Sequence, residues 1–223
     1  MVEIKGPIRG YYYPHKAIRV ELESLENKSV TLDSESTGGL DEFRSRLDFL
    51  KLFFTAHEDG EEASLYPTAN NLRKDINKTF EWDRHVSEEY FRIIFEAIDE
   101  FRKSRERSTS AKIVRGMAAL RAFLDAHETK EDEILLPLID RELDSKEQEQ
   151  VLGKAMSKFP PSTVEDVEKF LIKRLTQDER VDFLRIVKQG APAETFKAIT
   201  EWVREVLSEK EWKELKVKMP EIL

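Results

Sequence analysis

The chain of 223 residues contains no cysteine. Disulfides, thiolate metal sites and thiol catalysis are therefore excluded. Turn formers are scarce, with 8 glycines and 8 prolines. No apolar run approaches the roughly 20 residues needed to span a bilayer. The first residues, MVEIKGPIRGYYYP, lack the apolar stretch of a secretory signal. A reducing, aqueous compartment follows as the expectation, cytoplasmic or nuclear. An excess of positive charge is missing too, because the formal net charge is −8. That argues against nucleic acid, whose phosphates need a Lys/Arg footprint, and weakly against anionic membranes. What is present is charge and helix formers: 37% of residues are charged and 39% hydrophobic. This is the composition of a soluble, all-α protein of one large domain or one domain plus an appendage.

The hydrophobic periodicity places a first helix from near Pro14 through HKAIRVELESLEN, with Ile18, Leu22 and Leu25 on one face. A loop rich in Ser, Thr and Gly follows. The second helix is expected from about Asp41 to about Tyr66, ended by Pro67, and the third from near Asp75 to about Arg107. Residues 108–110, Ser-Thr-Ser, read as the cap of a fourth, which runs to Pro137. Long helices with short loops predict an up-down-up-down four-helix bundle over residues 1–142. Shorter amphipathic helices follow, separated by Pro160-Pro161 and by Gly190-Ala191-Pro192. They predict a C-terminal helical extension, 143–223, packed on the bundle.

The four histidines, His15, His57, His85 and His127, carry the strongest signal. His15 to His57 is 42 residues, as is His85 to His127; His15 to His85 is 70, as is His57 to His127. The segment HEDGEEASLYP at 57–67 aligns with HETKEDEILLP at 127–137. A two-helix unit is used twice.

Residues four apart on a helix point the same way. His57 therefore projects with Glu61, and His127 with Glu131, both pairs on core-facing stripes. A buried carboxylate is costly unless compensated. Two such glutamates among four imidazoles lack a protein cation, and a metal ion supplies one. Imidazole and carboxylate together suit iron, manganese or zinc. Six side chains suffice for two ions if Glu61 and Glu131 bridge. Pseudo-twofold symmetry suggests His15 with His57 and His85 with His127, an exchange of partners by the bundle geometry being the alternative. Glu58 and Glu128 are the spare ligands. Glu62 and Asp132 are expected to be solvated. Tyr11, Tyr12 and Tyr13 are expected to pack at the bundle mouth, a metal-bound phenol being the alternative. Gly60 reads as a close helix contact, room for a small ligand, or an exposed glycine. The zinc-protease motif HExxH is incomplete in both repeats, and the ferritin-type Glu-x-x-His is absent.

In these residues the chain resembles the haemerythrin-like, or HHE cation-binding, domains over about residues 7 to 140. Their order of His, His-x-x-x-Glu, His, His-x-x-x-Glu on four helices is met by His15, His57 and Glu61, His85, and His127 and Glu131. HKAIR-x-EL at 15–22 is similar to the first helix in plant iron-sensing ubiquitin ligases of the BRUTUS type. The DER-VDFL stretch at 178–184 and Phe170-Leu171 are similar to the same group. The zinc-binding Cys/His modules of those ligases have no counterpart here.

The resemblance implies a non-haem centre of two iron ions bridged by oxo, hydroxo or water. It implies a protein that senses iron, oxygen or redox state, or an enzyme that decomposes peroxide or reduces nitric oxide. Dioxygen, peroxide and nitric oxide are the implied small-molecule partners, with a protein partner for the C-terminal helices. Oxygen-carrying relatives have a fifth histidine, whereas this chain has four in all, which argues against simple reversible carriage.

Overall fold

The computed structural model describes residues 4–34 and 37–222. Among them there is no strand. Four long helices form the bundle: α1 (Tyr12–Ser29), α2 (Thr37–Ala63), α4 (Lys78–Ser104) and α5 (Arg107–Lys130), with a short α3 (Leu65–Leu72) between the second and third of them. α1 packs on α2 and α5, and α4 packs on α5 and α2, so sequential neighbours close a ring. α4 turns into α5 through Arg105, whose φ of 53° takes the left-handed place at a helix end usually given to glycine.

Three corrections concern helix ends. Pro67 does not end the second helix. α2 stops at Ala63 and Pro67 lies in the first turn of α3. Likewise Pro137 lies in the first turn of α6 (Leu136–Glu142), behind a π-helical turn at Glu131–Leu135. A proline cannot donate to the carbonyl four residues earlier, and its ring pushes that carbonyl away. The disturbance therefore falls just after each His-x-x-x-Glu. Ser108–Ser110 are not a cap but the first turn of α5, with Glu106 at the N-cap position.

The extension holds α7 (Ser145–Met156), α8 (Val164–Arg174), α9 (Gln177–Gly190), α10 (Ala193–Val206) and α11 (Glu209–Lys218). Capping boxes start three of them: Asp144 with Glu147, Thr176 with Glu179, and Ser208 with Glu211. α7 packs on α2 and on the 3-10 segment Pro7–Tyr11, and α8 packs on α1. Gly60 of α2 is the contact point with α7. A Cβ there would lie 3.0 Å from the carbonyl oxygen of Ala155. Gly60 is buried, so of its three readings the close helix contact is the one observed and the exposed glycine is overturned.

The core is continuous across the two parts. Phe53 of α2 meets Phe170 of α8 at 4.9 Å between ring centres and Phe159 at 5.8 Å. Buried Glu21 of α1 binds Arg46 of α2 at 2.9 Å and Arg174 of α8 at 3.0 Å. A second apolar cluster, containing Tyr11, Tyr66, Phe80, Leu136 and Ile139, closes one end of the bundle. The polar site lies where these two clusters meet.

Candidate metal centre

Three of the four histidines converge. His15, His57 and His127 are buried, with Glu58, Glu61, Glu128, Glu131 and Asp132. Consecutive residues on a helix diverge by about 100°, so α2 serves two sides. His57 faces His15, their ring centres 5.0 Å apart, while Glu58 faces His127, with Oε1 2.9 Å from Nε2. Glu61 belongs to both sides. Ligand atoms of His15, His57 and Glu61 lie within 4.8 Å of one another, as do those of Glu58, Glu61 and His127. Glu131 also straddles: its Oε2 is 3.4 Å from His15 Nε2 and its Oε1 3.6 Å from His127 Nε2.

Two further carboxylates aim the rings. Nδ1–H of His15 donates to Asp132 at 2.7 Å, and Nδ1–H of His127 donates to Asp83 at 3.0 Å. Each bond turns Nε2 toward the glutamates. Asp132 is therefore not solvated, in correction of the sequence reading, because it is buried between His15 and Arg19. Glu62 is exposed and pairs with Arg84.

His85 does not join the others. It is exposed on the outside of α4, its ring 6.1 Å from that of Trp82. The buried face of α4 is Phe80, Ser87, Phe91, Ile94, Ile98 and Phe101, and His85 falls off that stripe. The 70-residue period reproduces a chain position but not the phase of a helix. This corrects the pairing of His85 with His127: beside His127 stands Glu58. Glu128, its counterpart one period on, lies near His15 and meets Arg19 Nε at 3.1 Å.

The tyrosine at the glutamates was not foreseen. Tyr66 donates to Glu131 Oε1 at 2.7 Å and lies 3.2 Å from Glu61 Oε2. Its only signal was its place in the repeat, just before the proline. Burial and the two carboxylates keep its phenol protonated. Tyr11 and Tyr13 pack, as expected. Tyr11 is buried against the His15 and His57 rings with its hydroxyl 3.2 Å from Ser64 Oγ, and Tyr13 donates to Asp182 and meets Phe183.

The electrostatics are those of a carboxylate-rich pocket: despite burial, Asp132, Glu61 and Glu128 raise His15 well above the usual imidazole range, and Glu131, Asp83 and Glu58 push His127 up to about 11. Burial and the neighbouring Glu61 raise Glu131 far above the usual carboxylate range. Burial acts on Glu61 as well, but the imidazoles of His57 and His15 outweigh it and hold its carboxyl low. Burial pushes Glu128 up to about 8. Several polar atoms are buried without a hydrogen bond: Nε2 of His57 and His127, both oxygens of Glu58, and Oε2 of Glu131. The Nε2 of His127 is 2.9 Å from Glu58 Oε1 yet is not aligned for a hydrogen bond. Nitrogen and oxygen atoms gathered around a common space suit a borderline or hard divalent ion, which would displace the imidazole protons. The residues fit a resident metal.

Fold and site together define a helical-bundle cation-binding protein. The family model described as the hemerythrin HHE cation binding domain matches residues 7–139. The chain belongs to that family. Among curated proteins it is similar to three from Arabidopsis thaliana. Zinc finger protein BRUTUS is 21% identical over 189 residues, covering 85% of this chain and 15% of that protein. Two proteins named zinc finger protein BRUTUS-like are 23% identical over 195 residues and 20% over 191, with the same coverage. The chain thus spans about 15% of the length of these relatives. No solved structure gives a significant match. Among the described residues no helix is long and apolar enough to cross a membrane.

Proposed function

We propose that the chain holds two iron ions and senses iron supply or redox state through their occupancy. His15 and His57 would serve one ion and His127 with Glu58 the other, with Glu61 and Glu131 bridging. Glu128 is the reserve carboxylate on the His15 side. The observation that carries this reading is the set of buried, unbonded Nε2 and carboxylate oxygen atoms shared between α2 and α5. A bound iron pair would supply Lewis acidity and electron transfer to dioxygen, peroxide or nitric oxide.

The protein's own part is different. Asp132 and Asp83 fix the rings, Tyr66 holds a proton against Glu131, and Phe53, Phe80 and Tyr11 exclude water. An apo site leaves five buried carboxyl groups, Glu58, Glu61, Glu128, Glu131 and Asp132, around three imidazoles. Metal binding therefore adds directly to folding free energy. The bundle of 1–142 is the sensing unit in this reading and 143–223 its structural partner, acting in the cytoplasm or nucleus.

Iron quantification on the purified, reconstituted chain tests it. Two irons per chain, with absorption in the near ultraviolet that is lost on reduction, are expected. One zinc, or no retained metal, refutes it. Manganese in two equivalents would keep the site and change the ion.

A second reading is a di-iron enzyme that decomposes peroxide or reduces nitric oxide. Tyr66, a protonated phenol bonded to the bridging carboxylate, favours it. Peroxide turnover above that of free iron, lost in Tyr66→Phe, would separate enzyme from sensor.

A further inference from the structure

A cavity of about 370 Å³ lies between the bundle and the extension. Its walls come from α2, α7, α8, α9 and α10, and they are apolar: Phe53, Leu152, Val167, Leu171, Phe183 and Ile199. The volume is within the range of small-molecule sites, roughly 300 to 1,000 Å³. Two acids line it: Glu149, which is exposed at the rim, and Glu168, which is buried in the apolar wall. Glu168 of α8 lines the cavity, is 1% exposed, and its Oε2 has no hydrogen-bond partner. No ion pair reaches it among the described residues.

Burial alone moves this carboxyl, up to about 8. Near neutrality it stays protonated by itself and ionises readily when a cation arrives. A buried water needs about three polar partners, and most of the lining is apolar. A buried acid without a hydrogen-bond partner is destabilising. What removes that cost is a guest that brings both an apolar body and a positive charge.

We propose that the cavity binds an apolar amine, with its hydrocarbon part against Leu171, Phe183 and Ile199 and its ammonium group on Glu168. The site is separate from the metal ligands on α5. It touches the centre at one point, because His57 and Tyr11 line its inner end. An occupant would thus lie beside a residue of the metal centre, and the extension would be the element that carries the site.

The probe is 1-octylamine, titrated calorimetrically into the full chain at pH 8. One saturable equivalent is expected. Glu168→Leu should weaken it at least tenfold while leaving thermal stability equal or higher, since an unpartnered acid becomes an apolar side chain. 1-Octanol and octanoate, with tails of the same kind and no positive charge, should each bind at least tenfold more weakly to the unaltered protein. Val167→Phe fills the cavity from another position and should abolish amine binding. Absence of saturable binding, equal affinity in Glu168→Leu or Val167→Phe, or octanol or octanoate binding as tightly as the amine would each overturn the proposal. The comparison of head groups needs no variant and stands even if a variant fails to fold.

Discussion

Asp132 accepts a hydrogen bond from Nδ1 of His15 at 2.7 Å, and this bond sets which nitrogen of the ring faces the glutamates. The two residues are 117 positions apart, on α1 and in the π-helical turn after α5. Asp132 also holds Arg19 at 2.8 Å. Partners of this kind typically govern metal affinity by about 10–100-fold. Asp132→Asn should weaken iron binding within that range while the helical circular dichroism stays unchanged. A chelator competition titration measures it; an unaltered affinity would show that His15 is not a ligand.

The roles of the histidines are separable. His57→Ala and His127→Ala should each lower iron below two per chain. His85→Ala should leave the stoichiometry intact, because its ring stands outside beside Trp82. Metal analysis of the three variants decides. Loss of iron in His85→Ala would mean that α4 turns when metal binds.

Bridging by Glu61 and Glu131 has a thermodynamic signature. The double replacement with Gln should abolish iron binding and yet leave the metal-free protein as stable or more so, since two buried acids are gone. In the unaltered protein, free metal at 100 times its dissociation constant should add about 2.7 kcal/mol. Thermal melts with and without iron, on both proteins, check this. A melting temperature that rises with iron in the double variant would refute the bridges.

Glu168 predicts a pH dependence. Its carboxyl is raised by burial from 4.5 to about 8. The folded state therefore keeps a proton that the unfolded chain releases. Below about pH 4.5 both states are protonated and the group contributes nothing to the pH slope. As pH rises through the window between these values the unfolded state is favoured, by about 1.4 kcal/mol per pH unit at most, and the penalty is complete above about pH 8. Glu168→Gln should remove this component. Urea melts of both proteins at pH 5 and pH 8.5 should diverge at the higher pH only, with the Gln variant more stable.

Gly60→Val should destabilise by about 1–3 kcal/mol, the usual cost of overpacking. Its side chain would run into the Ala155 backbone, where even a Cβ stands at 3.0 Å. Chemical denaturation measures it. A neutral result would mean that α7 yields easily.

Much of this was legible in the chain itself. The long helices, and the shared face of His57 with Glu61 and of His127 with Glu131, follow from helical spacing, because positions four apart share a face whatever the partner helix does. His85 was misread for the complementary reason. A chain interval between helices says nothing about rotation of the second helix, and on α4 the inward positions near the site fall elsewhere. Asp83, Asp132 and Tyr66 were missed because they reach their partners across 44, 117 and 65 residues of sequence, through contacts that only tertiary packing creates. The helix breaks ahead of Pro67 and Pro137 were anticipated only in part: proline announces a disturbance, but the helix resumes where an apolar stripe rewards it.

The close approach at Gly60 has a mechanical consequence. Glu58 and Glu61 flank this glycine on α2, and the backbone of α7 rests directly upon it. The ruler that spaces the two carboxylates is thus clamped from outside by the extension. A pull that lifts α7 off the bundle would release that clamp and let the two carboxylates spread. A change of ligand spacing would in turn press on α7. The extension and the carboxylate pair thus meet at a residue that has no side chain.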